Sequence, residues 1–354
     1  MSLIELAERK WLPDWAIRRG IRYLLRKRLQ KEILRSQNSP SRAAALREIF
    51  ARGPIAIETT AANEQHYEVP TELFQAMLGS RLKYSGCYWK DFVGDLAQAE
   101  EAMLGLTCQR AKIEDGQRIL DLGCGWGSLS LWLAEKFPRA EVIAVSNSTT
   151  QGEYIREQAA ERSLTNVTHL VANMAERNLQ QKLRESGVPH EGFDRIVSIE
   201  MFEHMHNVEA LLRSLAVVLQ HDGFLFVHIF THKNLFYRFQ DEGPTDWMTR
   251  HFFSGGAMPP ADLFEHINDP FELVERHDVN GVHYAMTCRA WLRNLDDHRE
   301  ALLARFEQDM PAREAHIQWQ RWRMFVMACE ELFAWNAGEA WLVTHHLLQL
   351  SRER

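Results

Sequence analysis

Residues 196–207, which read IVSIEMFEHMHN, bring Glu200, Glu203 and His204 together directly after an apolar run. Those side chains are acid/base equipment. Crowded carboxylates raise one another's proton affinity, and an imidazole titrates near neutrality. Spacings of three and four put all three on one face if a helical turn begins at Glu200. A single glutamate here would more often cap a helix or pair with an arginine, and a single histidine would more often be a satisfied core residue. The coincidence of three at one strand end points instead to chemistry, and makes Glu200, Glu203 and His204 the candidate catalytic residues.

The elements that must position them can be read from hydrophobic period. RIL (118–120), EVIAVS (141–146), VTHLVA (167–172), RIVSI (195–199) and FLFVHIF (224–230) are short β-rich runs, separated by apolar segments of helical period. Such alternation predicts an α/β fold, a parallel sheet with helices on both faces, whose ligands bind beyond the carboxyl ends of the strands. Glu200 follows one of those ends. The first 62 residues read as helical without a strand signal and close in a loop, GPIAIETTAANE. The expected organisation is a helical N-terminal cap over 1–63, a core over 64–235, and a substrate-covering insertion with completion of the sheet over 236–354.

Composition narrows the function classes. The chain has 354 residues, 45% of them hydrophobic, enough to bury a substantial core, and a net charge of -7 that argues against nucleic acid as a partner. The five cysteines are odd in number and form no CxxC pair, so neither a disulfide framework nor a zinc site is indicated and a reducing cytoplasm is expected. The 16 histidines include no HExxH, and no metal is expected. The N-terminus lacks the apolar run of a signal peptide or a transmembrane segment. Residues 18–31 are basic, with Ile21, Leu24, Leu25 and Leu29 on an apolar face; they read as a helix packed on the body, or as a peripheral membrane contact.

RILDLGCGWGSLSLWLAEKF (118–137) carries the binding signature. A strand ending in Asp121 runs into Gly123, Gly125 and Gly127 and then into a helix. Glycines there allow a sharp turn and close approach to a ligand at a helix N-terminus. A dinucleotide site would have GxGxxG and an acid about twenty residues on. This chain has GxGxG, with Ser146 and Asn147 after its second strand.

The acid-x-Gly-x-Gly-x-Gly pattern resembles the class I S-adenosylmethionine (SAM) methyltransferases, which implies a Rossmann-like seven-stranded sheet with SAM as cofactor and S-adenosylhomocysteine (SAH) as product. VSNSTTQGEYI narrows the resemblance to the cyclopropane-fatty-acid synthase and coclaurine N-methyltransferase groups, where a glutamine replaces the acid that grips the ribose; Gln151 falls on that position. YEVPTELFQAMLGSRLKYSGCYW, TDWMTRHFFSGGAMP, NGVHYA and LFAWNAGEAWLVTHHL extend it over nearly the whole chain and are closer to the coclaurine group. The resemblance implies cofactor contacts at Tyr84, Ser85, Asp121, Gly123, Gly125, Gly127, Asn147, Gln151, Asn173 and Met174. It implies catalytic roles for Glu200, Glu203 and His204, and a substrate pocket including His228, Tyr284, Phe333 and Trp335.

The leading function is then SAM-dependent N-methylation of a small cyclic or aromatic amine, with the three titratable groups taking its proton. The second is C-methylation or cyclopropanation of an unsaturated acyl lipid, in which a bound bicarbonate accepts a proton. Its ligands in that family fall here on Gly86 (in place of a cysteine), Glu203, His228 and Tyr284, with Cys87 one place beyond the cysteine position. The lipid enzymes carry glycine where this chain has Glu200, a carboxylate costly beside an acyl chain and useful beside an amine. A third reading, a non-catalytic SAM-binding protein, is disfavoured by the acids at the strand end. A homodimer is compatible with all three.

Overall fold

The computed structural model describes residues 2–38, 41–56, 69–92, 94–173, 179–185, 192–243 and 246–351. Its strands, numbered along the chain, are β1 (Ala51–Ala56), β2 (Arg118–Leu122), β3 (Glu141–Ser146), β4 (Val167–Val171), β5 (Phe193–Ile199), β6 (Met205–Asn207), β7 (Leu219–His232), β8 (Tyr237–Arg238), β9 (Ala257–Met258), β10 (Phe271–Val279) and β11 (Trp341–Leu350). The expected α/β sheet is present and has seven strands in the order β10-β11-β7-β5-β2-β3-β4. Strands β4, β3, β2, β5 and β7 are parallel neighbours, and β11 runs antiparallel between β7 and β10.

Burial explains why the central strands were easy to read. β2 and β5 are covered by helices on both faces, so Ile119, Leu120, Leu122, Ile196 and Val197 are all buried and the strands read as continuous apolar runs. β11 differs. Thr344, His345 and His346 lie in its middle and are wholly buried, so this strand carries polar groups that need partners inside the sheet.

The N-terminal segment departs from the purely helical expectation. Helices Leu3–Glu8, Asp14–Asn38 and Arg42–Phe50 are followed by β1, which pairs antiparallel with β6 in the register Ala51↔Asn207 and Ala56↔Met205. Its sequence, ARGPIA, holds Gly53 and Pro54, residues that weaken a strand signal, and only its partner makes it a strand. β6 follows His204 immediately, so this pairing clamps the candidate catalytic turn from outside the main sheet.

The basic stretch 18–31 is largely consumed by the body of the protein. Ile21, Leu25 and Leu29 pack against the main core cluster, while Arg18 bonds Glu330 at 2.6 Å and Glu331 at 2.9 Å on the helix Ala312–Phe333. Among the described residues no helix is long and apolar enough to cross a membrane. The same helix pair is tied by Arg323, 3% exposed, which bonds Asp14 at 2.7 Å and Asp296 at 2.6 Å and lies over the Trp319 ring. Arg323→Met should lower the unfolding free energy by about 2 kcal/mol, since Asp14 and Asp296 keep partial access to water. Denaturant titration measures it, and a loss indistinguishable from zero would show that the Arg323 ion pairs add nothing to the hold on the N-terminal helix.

Candidate active site

The residues after β5 do not continue as one helical turn. Glu200 adopts a left-handed φ of 48°, and its N–H donates to the carbonyl of His228 on β7 at 2.8 Å. A single 3-10 turn, Phe202–His204, follows and passes directly into β6. The single helical face expected from spacing is therefore not formed. The kink aims Glu200 and His204 at a cavity and puts Glu203 in the layer behind them, with no exposed surface. His204 stacks on Phe253, with ring centroids 4.6 Å apart.

Glu200 is held from several directions. Its Oε1 accepts the Gly86 N–H at 2.9 Å and lies 3.3 Å from Nε2 of His228, and its Oε2 accepts the Tyr284 hydroxyl at 2.6 Å. Burial raises the pKa of this carboxyl above the ordinary value, and the nearby Lys83 ammonium, the Gly86 N–H and the Tyr284 hydroxyl offset part of that rise. Glu203 has less support. Its Oε1 accepts the Phe230 N–H at 2.7 Å, but Oε2 is buried without a partner. Burial first, then the charge of Glu200, pushes Glu203 well above the carboxylate range.

Two groups in this network were not read from the sequence. Lys83 is wholly buried, and its Nζ donates to Ser85 Oγ at 2.5 Å and to the Gly86 carbonyl at 2.7 Å; burial lowers its pKa. Glu100, also wholly buried, accepts the backbone N–H groups of Gly79, Arg81 and Lys83 at 3.1, 2.9 and 3.3 Å. Together they fix the segment bearing Tyr84, Ser85 and Gly86. No periodicity marks either residue, because their partners are backbone atoms of an irregular segment; a lysine inside LKYSGCYW, among apolar neighbours, was the one available sign. Cys87 points away from the cavity, with its N–H donating to Thr287 and burial pushing its thiol up to about 12.

The cavity wall continues along the glycine loop. Gly123, Gly125 and Gly127 all have positive φ (82°, 52° and 76°), and Gly127 precedes the helix Ser128–Lys136. A Cβ on Gly123 would lie 2.8 Å from the Met201 side chain, whereas one on Gly125 would meet nothing within 4 Å, so the loop leaves open space at that glycine. Asp121 is buried beneath the loop, accepts the Ser130 hydroxyl at 2.5 Å, and is raised by burial to about 6. Gln151 reaches the wall from the helix Thr149–Glu161 with its Nε2 buried and unpartnered.

The other candidates are dispersed. Tyr84, Ser85, Tyr284 and Phe333 line the same cavity, and Phe333 stacks on Tyr284 with centroids 4.2 Å apart. His228 touches the cavity only through Glu200. Trp335 packs edge-on to Trp341, while Asn147 and Asn173 lie half-buried near the ends of β3 and β4. Met174 lies outside the described residues.

The burial of Glu203 has a sign that can be checked. A carboxyl raised in the folded state binds more protons there than in the unfolded chain once pH exceeds the ordinary value of 4.5. Wild-type stability therefore falls, relative to Glu203→Gln, as pH rises from about 4.5 towards the raised pKa, and the two run parallel below it. Denaturant titrations of both proteins across that range test this; a constant difference would mean that Glu203 is not perturbed.

Comparison with known proteins places this geometry. The family model for mycolic acid cyclopropane synthetase matches residues 56–342. (S)-coclaurine N-methyltransferase of Thalictrum flavum subsp. glaucum is 34% identical over 99% of this chain and 95% of its own length. Cyclopropane-fatty-acyl-phospholipid synthase of Escherichia coli (strain K12) is 28% identical over 64% of this chain and 54% of its own. A solved coclaurine N-methyltransferase bound to N-methylheliamine and SAH superposes with a TM-score of 0.88 at 34% identity, covering 98% of both chains. The cyclopropane synthase MmaA2 from Mycobacterium tuberculosis, with a TM-score of 0.67 at 21% identity over 83% of this chain and 98% of its own, shares the fold. The chain therefore belongs to the SAM-dependent methyltransferase family that unites the coclaurine N-methyltransferases with the mycolic acid cyclopropane synthetases.

Proposed function

We propose that this protein methylates the nitrogen of a small cyclic or aromatic amine, with SAM as methyl donor. The observation that carries the reading is the position of the Glu200 carboxylate. The lipid reading assigns Gly86, Glu203, His228 and Tyr284 to a bound bicarbonate. Here three of those four positions, Gly86, His228 and Tyr284, converge on Glu200, which puts an anion of the chain's own among them. A Cβ on Gly86 would lie 3.1 Å from the Tyr284 ring, so the cysteine of the lipid enzymes would crowd the tyrosine that holds Glu200. Coclaurine and tetrahydroprotoberberine N-methyltransferases, more than 30% identical to this chain, support the same direction.

The cavity suits the cofactor. The left-handed glycines supply backbone that can approach a ligand closely, Gln151 offers an unpartnered amide where the ribose acid is missing, and Tyr84 and Ser85 face the loop across the cavity. We assign cofactor contacts to these residues and to Asp121, Asn147, Asn173 and Met174. SAM supplies an electrophilic methyl on a sulfonium, from which a nitrogen lone pair displaces the thioether in line.

The chain must supply that lone pair. An ordinary carboxyl is roughly six pKa units too weak to take a proton from an alkylammonium, and burial of the glutamate pair narrows the gap. Donors at both Glu200 oxygens favour its ionised form, so the proton of the resting pair resides on Glu203. An incoming ammonium gives its proton to the ionised Glu200, which leaves both carboxyls protonated and the nitrogen lone pair free; that proton then leaves Glu200 for solvent. Bound nitrogen meets Glu200 at the wall, with His204 beside it to pass protons to solvent. The Tyr284 and Phe333 rings form an aromatic face for the cation.

We further read the chain as a cap (1–63), a cofactor core (64–235) and a substrate-covering segment (236–354) that contributes Tyr284 and Phe333. A cytoplasmic location is supported by five unpaired cysteines. Homodimerisation and peripheral membrane contact are compatible with this reading.

Purified protein incubated with radiolabelled SAM and two pools, cyclic amines and unsaturated phospholipids, should label the amine pool and be indifferent to bicarbonate depletion. Label confined to the lipids would overturn the proposal. Glu203→Gln should lower kcat about 10²-fold or more while leaving SAH affinity by calorimetry unchanged; unaltered turnover would remove Glu203 from the mechanism.

A further inference from the structure

Strands β7 and β11 place histidines at the same register position, His228 opposite His345, and both are wholly buried in the sheet. Nε2 of His345 lies 3.0 Å from Nδ1 of His228. Buried imidazoles destabilise a fold unless their nitrogens are satisfied, and all four nitrogens here have partners. At one end, His228 Nε2 lies 3.3 Å from Glu200 Oε1. At the other, Nη1 of Arg110 lies 2.8 Å from His345 Nδ1. Arg110 is the last residue of the helix Leu96–Arg110, is half-buried, and among the described residues has no carboxylate within ion-pair distance. The contact it makes is with the histidine.

A guanidinium donates and never accepts, and it keeps its protons. Arg110 therefore fixes His345 Nδ1 as an acceptor, which puts the His345 proton on Nε2. That N–H donates to His228 Nδ1, so the His228 proton is also on Nε2 and points at Glu200. Burial holds both rings neutral, with pKa values well below the ordinary histidine range. We propose that Arg110 and His345 are positioning residues for the methyl-transfer site, orienting a one-way hydrogen-bond chain that delivers the His228 N–H to Glu200. The inference rests on the reading of Glu200 as the carboxylate that meets the amine. The chain cannot drain protons outward, because doing so would require Arg110 to accept one.

The groups facing Glu200 are Lys83, Tyr284, Gly86, His228 and Glu203; those facing His345 are His228, Arg110, Lys83 and His346; Tyr88 faces Arg110. Among these groups Arg110 alone bonds His345 Nδ1, and the ionised Glu200, which can only accept from His228 Nε2, imposes the same direction from the other end of the chain. Removing the Arg110 donor leaves the carboxylate as the one constraint on direction, lets the reversed tautomer compete, weakens the His228 N–H bond to Glu200 and so raises the proton affinity of the carboxylate. The acid limb of kcat/KM should then move to higher pH.

The test has two arms. Nitrogen NMR of histidine-labelled protein, with His228 and His345 assigned by substitution, should show both rings as the Nε2–H tautomer, with an Nδ1–H population appearing at His345 in Arg110→Met and absent in Arg110→Lys. With radiolabelled SAM and 1,2,3,4-tetrahydroisoquinoline as the amine probe, Arg110→Met and His345→Phe should lower kcat about tenfold and shift the acid limb up by roughly one pH unit, with SAH affinity intact and Arg110→Lys close to wild type. An Nδ1–H tautomer at His345 in the wild type, or an acid limb that stays in place in both variants, overturns the proposal. Equal losses in Arg110→Met and Arg110→Lys also overturn it, by showing a merely structural role. Absence of amine turnover in the wild type would refute the proposed function instead, and the NMR arm would still decide the tautomer chain.

Discussion

The structure turns on a carboxylate held almost out of water at the end of a parallel strand. Left alone, such a group would take up a proton, because burial penalises its charge. At Glu200 that tendency is opposed by a backbone N–H from the segment before the core, a hydroxyl from the helix Val282–Asp297 and an imidazole from the neighbouring strand, with the Lys83 ammonium close by. Parts of the chain far apart in sequence must dock before this residue gains the donors that favour its charge. The left-handed backbone at Glu200 and the pairing of β1 with β6, which begins directly after His204, set the path of the turn that carries it.

The same logic separates the two neighbouring acids. Glu203 sits in the layer behind, with one oxygen on the Phe230 N–H and the other unpartnered, so desolvation dominates there. One carboxyl has donors at both oxygens and the other at only one. A pair of this kind takes up and releases protons as a unit while its members stay distinct. The same donor set bears on which acceptor the site serves, since it already encloses an anion that belongs to the chain.

Much of this was legible in the sequence, for identifiable reasons. β2, β3, β5 and the FLFVHIF part of β7 were readable because strands buried on both faces are near-continuous apolar runs, β4, an edge strand, because of its β-branched residues, and the glycine loop because positive φ at close approach favours glycine. β1 was not, because Gly53 and Pro54 mask it and its pairing is supplied by β6. The expectation of one helical face for Glu200, Glu203 and His204 failed at a single backbone angle, which no spacing rule contains. Lys83, Glu100, Arg110 and His345 were silent because each matters through a tertiary partner: the register of β11 on β7 makes His345 a neighbour of His228. The sequence shows only a histidine in an apolar strand.

The central claim is the division of protonation between Glu200 and Glu203, and infrared difference spectroscopy in the protonated-carboxyl region near neutral pH measures it most directly. The account predicts a band in the wild type that is lost in Glu203→Gln and retained in Glu200→Gln. A band lost in Glu200→Gln and retained in Glu203→Gln would contradict it.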